Sequence, residues 1–147
     1  MEPTDCPYYL ISRVTLLATS CLKKALAAQG AEVVKPAYLG VLMSLWKENG
    51  LKMVELGRRA GLEPSTMSGL LDRMGRDGLV SRSSDPKDRR TLQISLTEPG
   101  WQVRDKVLLA VEQAIGQVFK GISDTELTHT KDVLKRVVIN MREDNLS

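Results

Sequence analysis

Between Ser83 and Thr97 the chain reads SSDPKDRRTLQISLT. Arg82 stands just before this stretch, and Lys87, Arg89 and Arg90 lie within it. Pro86 stiffens its middle, which lowers the entropy lost on ordering. A guanidinium on a narrow hairpin tip can enter a DNA minor groove, where phosphates on both walls deepen the negative potential. Phosphate repels a carboxylate, so Asp88 is expected to hold an arginine in place through a charge-assisted pair. The plainer reading is a surface hairpin with ordinary salt bridges, each worth about 0–1 kcal/mol. Four cations within residues 82–90 weigh against it.

A second set of candidates lies just upstream, from Pro64 to Asp77. At about 100° per residue, Met67, Leu70, Leu71 and Met74 fall on one helical face. The opposite face carries Ser65, Ser68, Gly69, Asp72, Arg73 and Arg76, with Thr66 in the same first turn. Ser65, Thr66, Ser68 and Gly69 are small enough for a duplex to approach closely. Hydroxyls can bond phosphates or base edges, and first-turn amides face outward toward anions. Arg73 and Arg76 can clamp phosphates or reach a guanine edge. Alone, this would be the solvated face of an amphipathic helix. The neighbouring elements shift the reading toward DNA.

Those elements follow from periodicity and breakers. Leu10, Val14, Leu17, Cys21 and Ala25 repeat at helical spacing between Tyr8 and Gln29, about six turns at ~3.6 residues each, before Gly30. Pro36 suits the start of a second helix with Leu39, Leu42, Met43 and Trp46 on one face. Met53–Ala60 is a short helix broken by Gly61, and Leu62 is the apolar plug of a tight turn before Pro64. Two helices joined this way form a helix-turn-helix. Leu79–Arg82 and Leu92–Leu96 read as strands, with Ser83–Thr91 as a long loop between them. The fold class is therefore mainly α with a small β-hairpin wing. Thr97 and Pro99 open one long helix carrying Val103, Val107, Ala110, Val111, Ala114 and Val118. Ser123 and Glu126 have capping-box spacing, and the helix they start carries Leu127, Leu134, Val137, Val138 and Met141.

The chain of 147 residues suits one domain. Its formal net charge is +3, and residues 52–90 alone hold nine Lys/Arg against six Asp/Glu. The whole excess thus sits in one segment, the footprint of a nucleic-acid surface. No window carries the ~18 apolar residues of a membrane span. The N-terminus MEPTDCPYYL lacks the features of a secretory signal, so a cytoplasmic protein is expected. A single His and two cysteines without CxxC provide no zinc set, and no cofactor or metal is expected. No GxSxG or P-loop is present, and nothing pairs a nucleophile with a base, so no catalytic residue is assigned.

The motifs Leu70-Leu71-Asp72-Arg73-Met74, Asp77-Gly78-Leu79-Val80-Ser81-Arg82 and Asp85-Pro86-Lys87-Asp88-Arg89-Arg90 stand in register. With Leu96-Thr97, Pro36–Trp46 and the helix order, they resemble the MarR family of bacterial transcription regulators over nearly the whole chain. The resemblance implies a single domain over 1–147, with a winged-helix DNA-binding lobe at 36–97 and dimerisation helices at 6–30 and 98–145. It also implies a ligand-responsive repressor that binds a pseudo-palindromic operator in double-stranded DNA as a homodimer. Residues 64–77 would then enter the major groove, and Arg89 or Arg90 the minor groove. Half-sites about 10 bp apart are expected. Met53 stands where many members have a Thr cap. Gly57 stands where Ala is common, at about 1 kcal/mol in helix propensity. The dimer has its own warrant, because Tyr8, Leu10, Ile11, Ile115, Phe119, Leu134, Val138 and Met141 at the chain ends exceed what one small core can cover. Packing of the two ends on each other is the alternative.

Many relatives respond to small amphipathic or phenolic effectors in a crevice between the dimer helices and the DNA-binding lobe. Leu17, Cys21, Tyr38, Met43 and Trp46 are the corresponding candidates here, against plain core packing. A peroxide-sensing subgroup places a cysteine near the start of the first helix, as Cys6-Pro7-Tyr8-Tyr9 does here; a helix N-terminus favours thiolate. Lys35 stands where that subgroup tends to have tyrosine. A protein-binding winged helix is the remaining alternative. It would require an apolar recognition face.

Overall fold

A computed structural model describes residues 1–144. The boundary expected at residue 145 lies outside them. Helix α1 spans Pro7–Ala28, and its single buried residue is Leu26. Leu10, Val14 and Leu17 of the expected apolar stripe are exposed. Helix α1 lies along α6 (Arg104–Val118), where Gln29 Nε2 donates to Gln113 Oε1 at 3.1 Å.

Pro36–Tyr38 forms one 3-10 turn that runs into α2, Leu39–Lys47. Its buried face is Tyr38, Val41, Leu42 and Leu45. The expected face was one position off: of its four residues only Leu42 is fully buried, and Met43 is exposed. The segment Leu39–Trp46 is apolar on nearly every side, so periodicity alone could not orient it.

Tyr38 shows what the correct face does. Its hydroxyl donates to Asp77 Oδ2 at 2.6 Å, which ties the start of α2 to the C-cap of the helix over Pro64–Arg76. Burial, and then this hydrogen bond, pushes the phenol up from 10.0 to about 12. The folded chain therefore holds the phenolic proton more tightly than the unfolded chain. The resulting stability is complete below about pH 10 and is lost as pH rises toward 12. Tyr38→Phe is expected to flatten that alkaline arm and to lower stability near neutral pH by about 1–2 kcal/mol. Urea midpoints across the range check both.

Strand β1 (Leu51–Lys52), absent from the periodicity because it is two residues long, opens the helix-turn-helix unit. Helices α3 (Met53–Ala60) and α4 (Pro64–Arg76) match the sequence expectation. Gly61 takes φ 71°, a left-handed turn that no β-carbon disfavours, and the Leu62 N–H reaches Gly57 O at 2.9 Å. Gly57 itself is buried. A β-carbon there would stand 3.2 Å from Leu62 O and Met67 Cγ, so the small residue lets α3 and α4 approach.

Strands β2 (Val80–Asp85) and β3 (Asp88–Leu96) complete an antiparallel sheet in the order β1-β3-β2. The long helix expected after Thr97 is interrupted. Helix α5 spans Glu98–Gln102, Val103 forms a turn, and α6 follows. Thr97 does cap α5, accepting from Gly100 N at 3.1 Å. Helix α7 covers Asp124–Asp144. Its capping box forms as expected: Ser123 N donates to Glu126 Oε2 at 2.9 Å, and Glu126 N donates to Ser123 Oγ at 3.1 Å. The core joins Leu26, Leu42, Leu45, Leu56, Leu71, Met74, Leu79, Ile94 and Val107. No helix among the described residues is long and apolar enough to cross a membrane.

Candidate nucleic-acid interface

Helix α4 is amphipathic, and its burial orients the candidate face. Met67, Leu70, Leu71 and Met74 are buried, as the pattern requires. Ser65, Thr66, Ser68, Arg73 and Arg76 are therefore exposed together, and Gly69 is half-buried between them. Pro64 occupies the first turn, and the N-cap residue Glu63 makes no side-chain bond to it. The amides of that turn are thus available to an anion.

The wing differs from the nine-residue loop expected at Ser83–Thr91. The strands continue to Asp85 and Asp88, leaving only Pro86-Lys87 as the connection. Ser84 pairs with Leu92, yet the next residue, Asp85, pairs with Asp88. Arg89, Arg90 and Thr91 therefore bulge out of the ladder. A bulge re-aims side chains, and here it does so at the arginines. No apolar alternation marks these charged positions, so periodicity alone gives a loop there.

Asp88 does position an arginine, but through the backbone. Its Oδ1 accepts from Arg90 N at 3.0 Å, and its Oδ2 accepts from Thr91 Oγ1 at 3.2 Å. The expected pair with a guanidinium is absent among the described residues. Asp85 is buried and acts in the same way at the tip, accepting from Lys87 N at 2.9 Å. Lys52 Nζ approaches it at 3.8 Å. Arg82 also departs from expectation. Its guanidinium bonds Asp72 Oδ1 at 2.5 Å and Ser68 O at 3.3 Å, bracing the wing against α4. Asp72 and Arg82 are ten positions apart on different elements, so spacing did not reveal the pair.

The cations of α3 differ from those of α4 and the wing. Arg58 and Arg59 both bond Glu55, whose carboxyl is drawn down to about 2 by those hydrogen bonds, Arg58 first. Arg59 also reaches Glu48. Arg73, Arg76, Lys87, Arg89 and Arg90 make no ion pair among the described residues. They lie on α4 and the wing, the two elements that the Asp72–Arg82 pair joins.

The effector candidates do not line one crevice. Tyr38 is core and bonded to Asp77. Trp46 is half-buried with Nε1 on Gly100 O at 3.0 Å. Met43 borders a separate groove with Arg58, Arg59 and Arg142. Only Leu17 and Cys21 share a cavity, about 420 Å³ between α1 and α6. Cys21 is half-exposed rather than core, and its thiol donates to Gln117 Oε1 at 3.3 Å. Cys6 is a half-buried free thiol at the N-cap of α1. Its sulfur has no hydrogen-bond partner, tyrosine included, among the described residues. An organic hydroperoxide is accordingly expected to leave DNA affinity the same in the wild type and in Cys6→Ser. Release of DNA by the wild type alone would assign the thiol a sensing role.

The sequence model of the MarR family matches residues 36–92. The chain is 38% identical over 104 residues to the HTH-type transcriptional repressor MdtR of Bacillus subtilis (strain 168), spanning 71% of this chain and 67% of that protein. It resembles the solved structure of a MarR-family transcriptional regulator from Rhodococcus sp. RHA1, with TM-score 0.77, 32% identity, and coverage of 92% and 94% of the two chains. It is equally similar to CouR from Rhodococcus jostii RHA1 bound to p-coumaroyl-CoA, with TM-score 0.77, 32% identity, and coverage of 94% and 95%.

Proposed function

The chain belongs to the MarR family and is a DNA-binding transcriptional regulator, and from that premise we propose that it acts as a homodimer on a pseudo-palindromic operator. Residues 36–97 form the DNA-reading lobe of each protomer, and residues 6–30 and 98–144 form the pairing surface. Helix α4 enters the major groove through Ser65, Thr66, Ser68 and Gly69, with Arg73 and Arg76 on phosphates. Lys87, Arg89 and Arg90 serve the minor groove and its phosphates. Asp88 sets the backbone at Arg90, and Arg82 fixes the angle between wing and helix.

The observation that carries this reading is the clustering of exposed cations on α4 and the wing. Five cations on α4 and the wing have no carboxylate partner among the described residues, while the arginines of α3 are neutralised locally. Residues 52–90, which hold these cations, also carry the whole net positive charge of the chain. A phosphate-binding surface must keep them available, and it binds with a steep dependence on salt. Arg90→Ala is expected to weaken duplex binding by about 1–3 kcal/mol at fixed salt. Fluorescence anisotropy checks this, and an unchanged affinity would remove Arg90 from the groove.

Pairing is supported by α7. From 124 to 142 every residue of this helix is exposed or half-exposed in the single chain, including Leu134, Val137, Val138, Ile139 and Met141. Tyr8, Leu10 and Ile11 of α1 and Ile115 of α6 are exposed as well. Most helical stability in proteins comes from tertiary packing of an apolar face, and this face is left uncovered in the single chain. A second copy provides that packing symmetrically. Response to a small amphipathic effector is part of the proposal, since CouR, at 32% identity, was solved with p-coumaroyl-CoA bound.

A further inference from the structure

We infer that Arg142, near the far end of α7, is a positioning residue for DNA binding. It holds the helix-turn-helix at one setting against the pairing helix, and so fixes the spacing at which two reading helices meet a duplex. The spacing rests on the homodimer proposed above. The contact itself lies within one chain.

The end of α3 leaves a carbonyl open, and α7 supplies its donor. The Leu62 N–H, which would continue the helical ladder to Arg58 O, bonds Gly57 O at 2.9 Å. Arg142 Nη2 donates to Arg58 O in its place, at 3.4 Å. The last carbonyls of a helix need such donors, and a cation suits the negative end of the helix dipole. A β-carbon at Gly61 would stand 4.0 Å from the same nitrogen, so the guanidinium lies beside the turn between α3 and α4. Among the described residues this is the one side-chain hydrogen bond from α7 to another helix or strand.

Leverage makes this bond matter. Helix α7 has 21 residues, a length of about 30 Å. It follows α6 through Gly121, at φ 83°. A swing of ~10° at that turn shifts the far end of the helix by about 5 Å, more than the ~3.4 Å of one base-pair step. A groove of about 610 Å³ lies between Arg142 and α2 at Met43, Ser44 and Lys47, so packing does not close the gap there. The hydrogen bond to Arg58 O spans it. Gly57 lets α3 and α4 approach closely, so α4 follows α3. With α7 as the pairing helix, its setting against the lobe is the setting of α4 against the two-fold axis.

The test uses the full chain. Arg142 is exposed, so Arg142→Ala should leave the fold and the assembly state unchanged by circular dichroism and light scattering. Both cysteines are replaced by serine, and a nitroxide is attached at Glu63→Cys, an exposed position without a side-chain cap bond. Without DNA, double electron–electron resonance should give one narrow distance between the two lobes, and Arg142→Ala should broaden it. On a short duplex from the DNA flanking the chain's own gene, unlabelled Arg142→Ala should bind about three- to tenfold more weakly, the worth of one hydrogen bond. Its salt slope should match the wild type, because no phosphate contact is lost. Inserting two base pairs at the centre of the protected site should penalise the wild type more than the variant. An unbroadened distance, an equal insertion penalty or a shallower salt slope would each overturn the positioning role. A monomeric wild type by light scattering would overturn the homodimer and the spacing role with it. A second nitroxide at the exposed Lys131→Cys would then judge the contact alone, since the separation of α4 and α7 within one chain should still broaden in Arg142→Ala.

Discussion

A chain ending before Ser123 is expected to be a folded monomer with greatly weakened DNA binding. Among the described residues, nothing in α7 is buried against the rest of its own chain, so its removal opens no cavity in the core. The lobe should keep its fold, with Trp46 still on Gly100 O and still reporting a native environment by fluorescence. The truncation removes the exposed row Leu134, Val137, Val138, Ile139 and Met141, which is the largest part of the proposed pairing surface. Two linked lobes bind two half-sites with an avidity of about 10²–10⁴ over one lobe. Loss of the dimer should therefore cost DNA affinity on that scale. Light scattering and anisotropy read the two effects separately. A truncated chain that is still dimeric would assign pairing elsewhere.

The second large effect is on stability. Gly100→Ala should destabilise the protein by at least about 3 kcal/mol, the upper end for overpacking. Gly100 is buried in α5, at the junction of α2, β2 and β3. A β-carbon there would clash with the Leu79 carbonyl oxygen and press Leu96 Cδ2 at 3.1 Å. The backbone atoms cannot yield without moving the capping contacts of Thr97, which bonds Gly78 O and Gly100 N. The same substitution at Gly75 is the control. Its β-carbon would meet only Val80 O at 3.9 Å, an ordinary contact. There the gain in helix propensity, about 0.5–1 kcal/mol, should appear without strain. Equal urea midpoints for the two variants would contradict this account of the junction.

The parts of the fold legible in the sequence were those where one physical signal dominated. Met67, Leu70, Leu71 and Met74 alternate sharply with Ser, Gly and Arg, so α4 and its buried face were plain. Ser123 and Glu126 fixed the start of α7 because their capping chemistry is local. The face of α2 was misplaced because Leu39–Trp46 is apolar nearly throughout. The wing strands were read short because Arg89 and Arg90 interrupt the alternation, and the bulge that displaces them depends on tertiary pairing.

The candidate site divides along the same line. The small residues and cations of α4 and the wing were identifiable by type. The Asp72–Arg82 strut and the backbone role of Asp88 depend on how the hairpin folds over α4, and no spacing rule encodes that. The effector residues were carried by resemblance rather than by pattern, and the structure separates them into several environments.

The central claim is that unpaired cations on two symmetry-related lobes meet one duplex. Its most direct test is the stoichiometry and salt dependence of binding to a short duplex from the DNA flanking the chain's own gene. The account predicts two chains per duplex and an affinity that falls by about 10³ or more between 50 and 200 mM salt, as expected for six or more neutralised phosphates. One chain per duplex, or an affinity indifferent to salt, would contradict it.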